Sequence, residues 1–290
     1  MKKIFSYFMI FMCLLGTSVV TSCSSDDDNE EDKLADLPYE NEAAIYQVTD
    51  TESRISYIEL TSNGNYIIEY KSMVVGSSAY NVKDNFEYGT FKKSADNTYQ
   101  LNDKNSTILK IASTGGSNYT VTYGSESYPT TKLEKKATYL GANVTTTQLC
   151  RSWRLKKVKM TAKATGAFNT EVSDSANCYS SLMSSLKAKH TDIYNSLTEN
   201  KNVENISYIS FSNTYSYIVK TDKDENGNPD LLVRRFWAWE GNKLYLKKGS
   251  EEKRGYNVSF IGSTMRMEYT DVQGSTSVKL EYEFAESPLQ

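Results

Sequence analysis

Two short stretches decide how this chain folds: residues 55–60 read ISYIEL and residues 206–211 read ISYISF. At the same offset, each is followed by a polar segment and a second apolar run, and six of the 16 positions aligned from each start are identical. Strand, polar turn and strand predict a β-hairpin, and the sequence SNGN at 62–65 is typical of the turn. The chain therefore contains a duplicated hairpin.

The segments after each hairpin alternate between apolar and polar residues. The clearest is 278–284, where four apolar residues alternate with three charged ones. One dry face and one wet face are typical of an antiparallel sheet that closes on its own core. We predict a mainly β protein with two tandem antiparallel β-barrels or half-barrels, at 41–137 and 148–290, joined by a linker at 138–147.

The second repeat carries an insertion at 173–199 that the first repeat lacks. Apolar side chains recur there at helical spacing from Tyr179 to Leu197, and His190, the single histidine of the chain, lies on this apolar stripe. We expect a helix that Asp174 or Ser175 caps at its start. This helical insertion is predicted to lie across the mouth of the second barrel or along its side.

The first 22 residues have the layout of a secretory signal. Lys2 and Lys3 precede a short apolar core, and small polar residues lead to Cys23. Val-Thr-Ser-Cys at 20–23 resembles a bacterial lipobox, so we predict a lipoprotein signal peptide at 1–22 and lipid on Cys23. The acidic run that follows predicts a flexible tether at 23–40.

Two resemblances point to the same group of proteins. Serine and acidic residues directly after Cys23 resemble the export signal of Bacteroides-type surface lipoproteins, which implies the outer face of the outer membrane; a solvated spacer is the alternative. Trp153 at the start of a strand, followed by meandering strands, resembles the lipocalin-like domains of such lipoproteins over 148–286, and more faintly over 41–137. Arg151 stands where that family usually has glycine. The resemblance implies small barrels and no particular ligand.

Charge and cysteine content narrow the function classes. The chain without its signal segment loses Lys2 and Lys3 and therefore has 31 basic and 36 acidic side chains. It contains no cluster of basic residues that would indicate a nucleic-acid partner. Cys150 and Cys178 remain after Cys13 is removed and Cys23 is lipidated. They form either a disulfide or two separate thiols.

Residues 222–230 contain oxygen side chains at alternate positions with a glycine at the sixth. Such a loop can fold around calcium, whereas an ordinary turn between two strands is the alternative, because the expected glutamate at position twelve is Val233. The calcium ligands would be Asp222, Asp224, Asn226, Asn228 and Asp230.

Arg235, Trp237 and Trp239 share one face of a predicted strand. Exposed, they could bind a flat ligand; buried, they would be core. We predict a membrane-anchored, non-catalytic binding module for a small or extended ligand, glycan or lipid. The alternative is a protein-interaction subunit or adhesin, and a carboxylate-based hydrolase is less favoured.

Overall fold

The structure is a computed structural model. It describes residues 34–71, 86–134, 136–137, 140, 144–164, 170–199, 206–221, 232–248, 252–273 and 276–287. This part of the chain is mainly β, which confirms the predicted fold class at that level. The described residues contain no helix long and apolar enough to cross a membrane.

The first half forms a closed, antiparallel, eight-stranded barrel, called here the first barrel. Each strand pairs with the next, and β8 returns to pair with β1. The strands are β1 Ala44–Val48, β2 Ile55–Leu60, β3 Asn65–Tyr70, β4 Phe86–Ala95, β5 Thr98–Leu101, β6 Ile108–Gly115, β7 Asn118–Tyr123 and β8 Glu126–Leu133.

The second half forms a nine-stranded sheet, called here the second sheet. Its last strand along the chain, β17, pairs back with its first strand along the chain, β9. Its strands are β9 Ser152–Ala164, β10 Thr170–Ala176, β11 Ile206–Phe211, β12 Ser216–Thr221, β13 Leu232–Glu240, β14 Lys243–Lys248, β15 Glu252–Ile261, β16 Thr264–Gln273 and β17 Thr276–Glu286. Helices are α1 Thr146–Leu149, α2 Tyr179–Lys189 and α3 Thr191–Glu199. Apart from β10, the pairing order repeats that of the first barrel.

The insertion differs from the prediction at its start. Residues 173–176 belong to β10, which pairs with residues 158–164 of β9, so Asp174 and Ser175 do not cap a helix. The helix begins after Cys178 and ends at His190, whose φ of −143° is not helical. Inter-strand pairing therefore overrides the helical pattern until the buried stripe of Leu182, Met183 and Leu186 begins. That stripe packs into the core of the second sheet.

The duplicated hairpins are β2–β3 and β11–β12, as predicted, and their turns have the same geometry. Gly64 and Tyr215 occupy equivalent positions, with φ of +86° and +67°. The Tyr215 ring packs on Trp237, with ring centroids 4.9 Å apart. In the first barrel the equivalent residue, Gly64, has no side chain, and the ring of Tyr39 lies close to it instead. The ring of Tyr39 packs on the ring of Phe91, with centroids 4.6 Å apart. The glycine thus makes room for a ring from outside the hairpin.

Segments assigned to the tether and the linker contribute to the core. Leu37, within the predicted tether, is 6 % exposed and belongs to the core of the second sheet. Ala137, Leu140 and Val144, at or near the predicted linker, are buried in the same core. The described chain is therefore packed from about Leu37 onward, and the first barrel and second sheet lie in one compact unit, Leu34–Gln290.

The two duplicated hairpins pack directly against each other through their outer faces. Asn63 donates to the hydroxyl of Ser210 at 3.0 Å, and Thr214, the equivalent of Asn63, donates to Glu59, the equivalent of Ser210. Asn65 donates to Ser210, and its equivalent Ser216 donates to Glu59. The interface therefore has an approximate two-fold symmetry, as an interface between two identical subunits would have.

One side of this interface is ionic. Glu59 is fully buried and accepts from Nη2 of Arg234 at 2.9 Å, while Nη1 of Arg234 contacts Glu69. The Arg234 side chain is 6 % exposed. On the other side of the interface, Tyr88 occupies the position equivalent to Arg234, and its hydroxyl lies 3.3 Å from that of Tyr208. A buried carboxylate needs its cation in place, because an unpaired buried charge is costly.

We expect Arg234→Met to lower the free energy of unfolding by about 3–5 kcal/mol, because it leaves Glu59 charged and buried without its cation. Arg266→Met is the matched control, since Arg266 pairs with Glu283 on the exposed surface; it should cost about 1 kcal/mol or less. Urea denaturation of both variants measures the difference. Equal losses in the two variants would contradict the role of Arg234.

Candidate ligand-binding site

The predicted aromatic site does not form one exposed surface. Trp237 is 2 % exposed, donates its indole N–H to the carbonyl of Ser212 at 3.0 Å and packs in the core of the second sheet. The core alternative therefore applies to Trp237. Trp239 is half-buried against the same core and donates to the carbonyl of Gly241, and Arg235 is half-buried.

The other predicted sites have different outcomes. Residues 222–230, which include all five predicted calcium ligands, lie outside the described residues, as does Cys23. Among the described residues, no group of three or more acidic, histidine or cysteine side chains is placed to hold a metal ion.

No disulfide joins Cys150 to Cys178. Cys150 is fully buried, which raises the pKa of its thiol, and Cys178 lies at the N-cap of α2.

A different set of polar side chains comes together at one end of the first barrel. This tyrosine–glutamate cluster consists of Tyr70, Glu87 and Tyr123. Tyr70 is the last residue of β3, Glu87 is near the start of β4, and Tyr123 is the last residue of β7. Because successive strands run in opposite directions, these three positions lie at the same end of the barrel, called here its mouth.

The side chain of Glu87 faces the inside of the barrel. Its partner across the β3–β4 pair is Ile68, which belongs to the core of the first barrel. Residues opposite each other in an antiparallel pair share a face of the sheet. Yet the side chain of Glu87 is exposed to solvent, so the inward-facing surface is accessible at the mouth.

Two phenols hold the carboxylate of Glu87. The hydroxyl of Tyr70 donates to Oε1 at 2.7 Å, and that of Tyr123 donates to Oε2 at 2.9 Å. Each carboxylate oxygen keeps a further lone-pair direction for another donor. The carboxylate is thus fixed in orientation while it can still accept hydrogen bonds from a ligand.

The phenols of the cluster, and that of Tyr66, keep their protons at neutral pH. Burial, followed by the negative charges of Asp103 and Glu87, raises the pKa of Tyr66 to about 12. Burial, followed by the hydrogen bond to Glu87, raises the pKa of Tyr70 and of Tyr123 well above the ordinary value. Neutral phenols can donate to Glu87 but cannot compensate its charge.

Gly89 makes room for Tyr66, a buried tyrosine of the barrel core on the same strand as Tyr70. It lies opposite Tyr66 in the β3–β4 pair, and the Tyr66 ring crosses its backbone so closely that an added Cβ would lie 2.7 Å from Cε1 of that ring. An aromatic ring that covers a cross-strand glycine is a recurrent device of β-sheets. Gly89 is therefore needed for Tyr66 to lie where it does.

A second charged surface lies on the second sheet. It is a depression of about 200 Å³ lined by Lys157, Lys159, Arg266, Glu268, Glu281, Tyr282 and Glu283. Its charges pair with their neighbours: Lys159 with Glu281 at 3.5 Å and Arg266 with Glu283 at 3.3 Å. Exposed, mutually paired charges are typical of a solvated face.

We expect Trp237→Ala to lower the free energy of unfolding by about 3–5 kcal/mol, because it opens a cavity in a packed core. Trp239→Ala removes a half-buried ring and should cost clearly less. Thermal melts of the two variants make the comparison. Similar, small losses in both would contradict a packed core position for Trp237.

The sequence matches no family model, and it matches no curated protein sequence.

Proposed function

We propose that this chain is an exported lipoprotein, tethered through lipid on Cys23 at the outer face of the outer membrane, that binds a ligand without catalysis. The signal-like residues 1–22, the position of Cys23 and the acidic run after it support the tether. The ligand enters the mouth of the first barrel, and the tyrosine–glutamate cluster holds it.

The observation that carries this proposal is the accessible, oriented carboxylate of Glu87. Small-molecule sites are mostly apolar surfaces with a few well-placed polar groups. At the mouth, the rings of Tyr70 and Tyr123 pack on the barrel core and supply the apolar surface. Glu87 supplies the polar group that fixes the ligand. Both the hydroxyls of a glycan and the headgroup of a lipid suit this combination.

The cluster favours binding over hydrolysis. A glycosidase needs two carboxyl groups that act on one bond, roughly 5–10 Å apart. The nearby Asp103 is engaged within its own loop: it accepts from the backbone N–H groups of Asn105 and Thr107 and from the Thr107 hydroxyl. These hydrogen bonds lower the pKa of Asp103 despite the opposing effect of burial. Asp103 therefore does not serve as a general acid.

The tether is tested by Cys23→Ala. We expect the variant to be released from the membrane or to keep its signal peptide, because the thiol that would carry the lipid is gone. Cell fractionation and the mass of the mature N-terminus are the measurements, with Cys178→Ala as the matched control. Normal membrane retention of unlipidated Cys23→Ala would refute the tether.

The binding site is tested by calorimetric titration of the mature chain with a panel of oligosaccharides and of phospholipids in detergent micelles. For any probe that binds, Tyr123→Phe should weaken the affinity roughly fivefold, because it removes a hydrogen bond worth about 1 kcal/mol that orients Glu87. Tyr119→Phe, on the same strand but at the opposite end of the barrel, should bind as wild type does. Equal affinities in all three proteins would place the site elsewhere.

A further inference from the structure

We propose that the ligand group recognised by Glu87 is an ammonium. This inference rests on the proposed function and narrows it. The shared chemistry is a positively charged amine, which can be part of an amino sugar or of the ethanolamine headgroup of a lipid. It therefore agrees with either class of ligand, glycan or lipid, and excludes their neutral and acidic members.

The first argument is that Glu87 has no ion-pair partner in the described part of the chain, in contrast to several other glutamates of the sheets. Glu59 and Glu69 pair with Arg234, and Glu281 pairs with Lys279 at 3.1 Å. In the described part of the chain, no lysine or arginine pairs with Glu87, whose two partners are phenols. The inside of a barrel mouth thus holds a carboxylate whose charge no described cation compensates.

The second argument concerns the surroundings of that charge. Asp103 adds a further negative charge close enough to raise the pKa of both Tyr66 and Tyr123. The neutral rings at the mouth are also attractive for cations, because the face of an aromatic ring carries partial negative charge. A carboxylate beside tyrosine rings is therefore suited to a cation and repels an anionic headgroup.

Charge decides between an ammonium and a sugar hydroxyl. Both can donate to the remaining lone pairs of Glu87, and both bonds are strengthened because the acceptor is ionised. Only the ammonium adds a direct attraction between opposite charges. An ammonium has three donors, so it can contact Glu87 and still bond to water or to a phenol oxygen. The geometry favours the charged donor.

The test compares ligands that differ only in this group. The mature chain is titrated at mildly acidic pH and low salt, where the amino groups of the sugar are protonated, with tetraglucosamine and with its fully N-acetylated form, which has the same rings but no positive charge. The second arm uses micelles that contain phosphatidylethanolamine or its N-acetylated derivative. One of the two arms, sugar or phospholipid, contains the ligand class that the protein binds. In that arm we expect the amine to bind at least tenfold more tightly than its N-acetylated form. That preference should weaken at high salt, because the site is exposed.

Glu87→Gln keeps the size of the side chain and removes its charge, so it should reduce the affinity for the amine about tenfold and leave the affinity for the uncharged N-acetylated sugar nearly unchanged. Glu134→Gln, an exposed change just after β8, is the matched control and should retain the preference. A thermal melt of each variant verifies folding. Equal affinity for amine and N-acetylated probes overturns the ammonium and leaves the proposed function standing. Failure of every probe, in both arms and in the wider panel, counts against both proposals.

Discussion

The buried contact between Arg234 and Glu59 is the constraint on which the arrangement of the first barrel and the second sheet depends. Glu59 is fully buried, and its carboxylate is satisfied entirely by groups from the second sheet: Arg234 and the hydroxyls of Thr214 and Ser216. A buried ion pair contributes little net stability, because desolvation offsets the attraction. Its effect is on specificity, since an arrangement that covered Glu59 without Arg234 would leave a buried charge unpaired.

The duplicated hairpins explain why such a constraint is needed. Two similar hairpins with an approximate two-fold interface could in principle each pair with a copy of itself. Equivalent positions have diverged, however: Glu59 corresponds to Ser210, and Tyr88 corresponds to Arg234. A pair of first hairpins would bury two copies of Glu59 with no arginine to compensate them. The divergence therefore favours contact between unlike halves of one chain over contact between like halves of two chains.

The sequence predicts the repeated elements well because their signal is local. Alternation of apolar and polar residues identifies strands, and the duplication identifies which hairpins are equivalent. The start of the insertion at 173–176 was predicted as helix because Asp174 and Ser175 are good caps, whereas pairing with β9, a contact distant in sequence, makes it strand. The sequence also does not show whether Trp237 is buried or exposed. Alternation shows which side chains share a face of the sheet, but not which face is covered by the rest of the protein.

The candidate site was missed for a similar reason. Tyr70 and Glu87 are 17 residues apart, and Tyr123 is 36 residues further along the chain. None of the three stands in a motif, and only the register of β3 with β4 and the closure of the barrel bring them together. One available signal was a glutamate at an inward-facing position, but recognising it as inward requires the register.

The site and the hairpin interface meet at the end of β3. Glu69 and Tyr70 are neighbours in a strand, so their side chains point to opposite faces of the sheet. Glu69 points outward and is held by Arg234 of the second sheet, while Tyr70 points inward and holds Glu87. The end of β3 is thus held by contacts on both faces of the sheet. A carboxylate that is oriented before the ligand arrives loses less conformational freedom on binding, and less of the binding energy is lost to ordering it. The second sheet therefore fixes the position of the end of β3 that carries Tyr70.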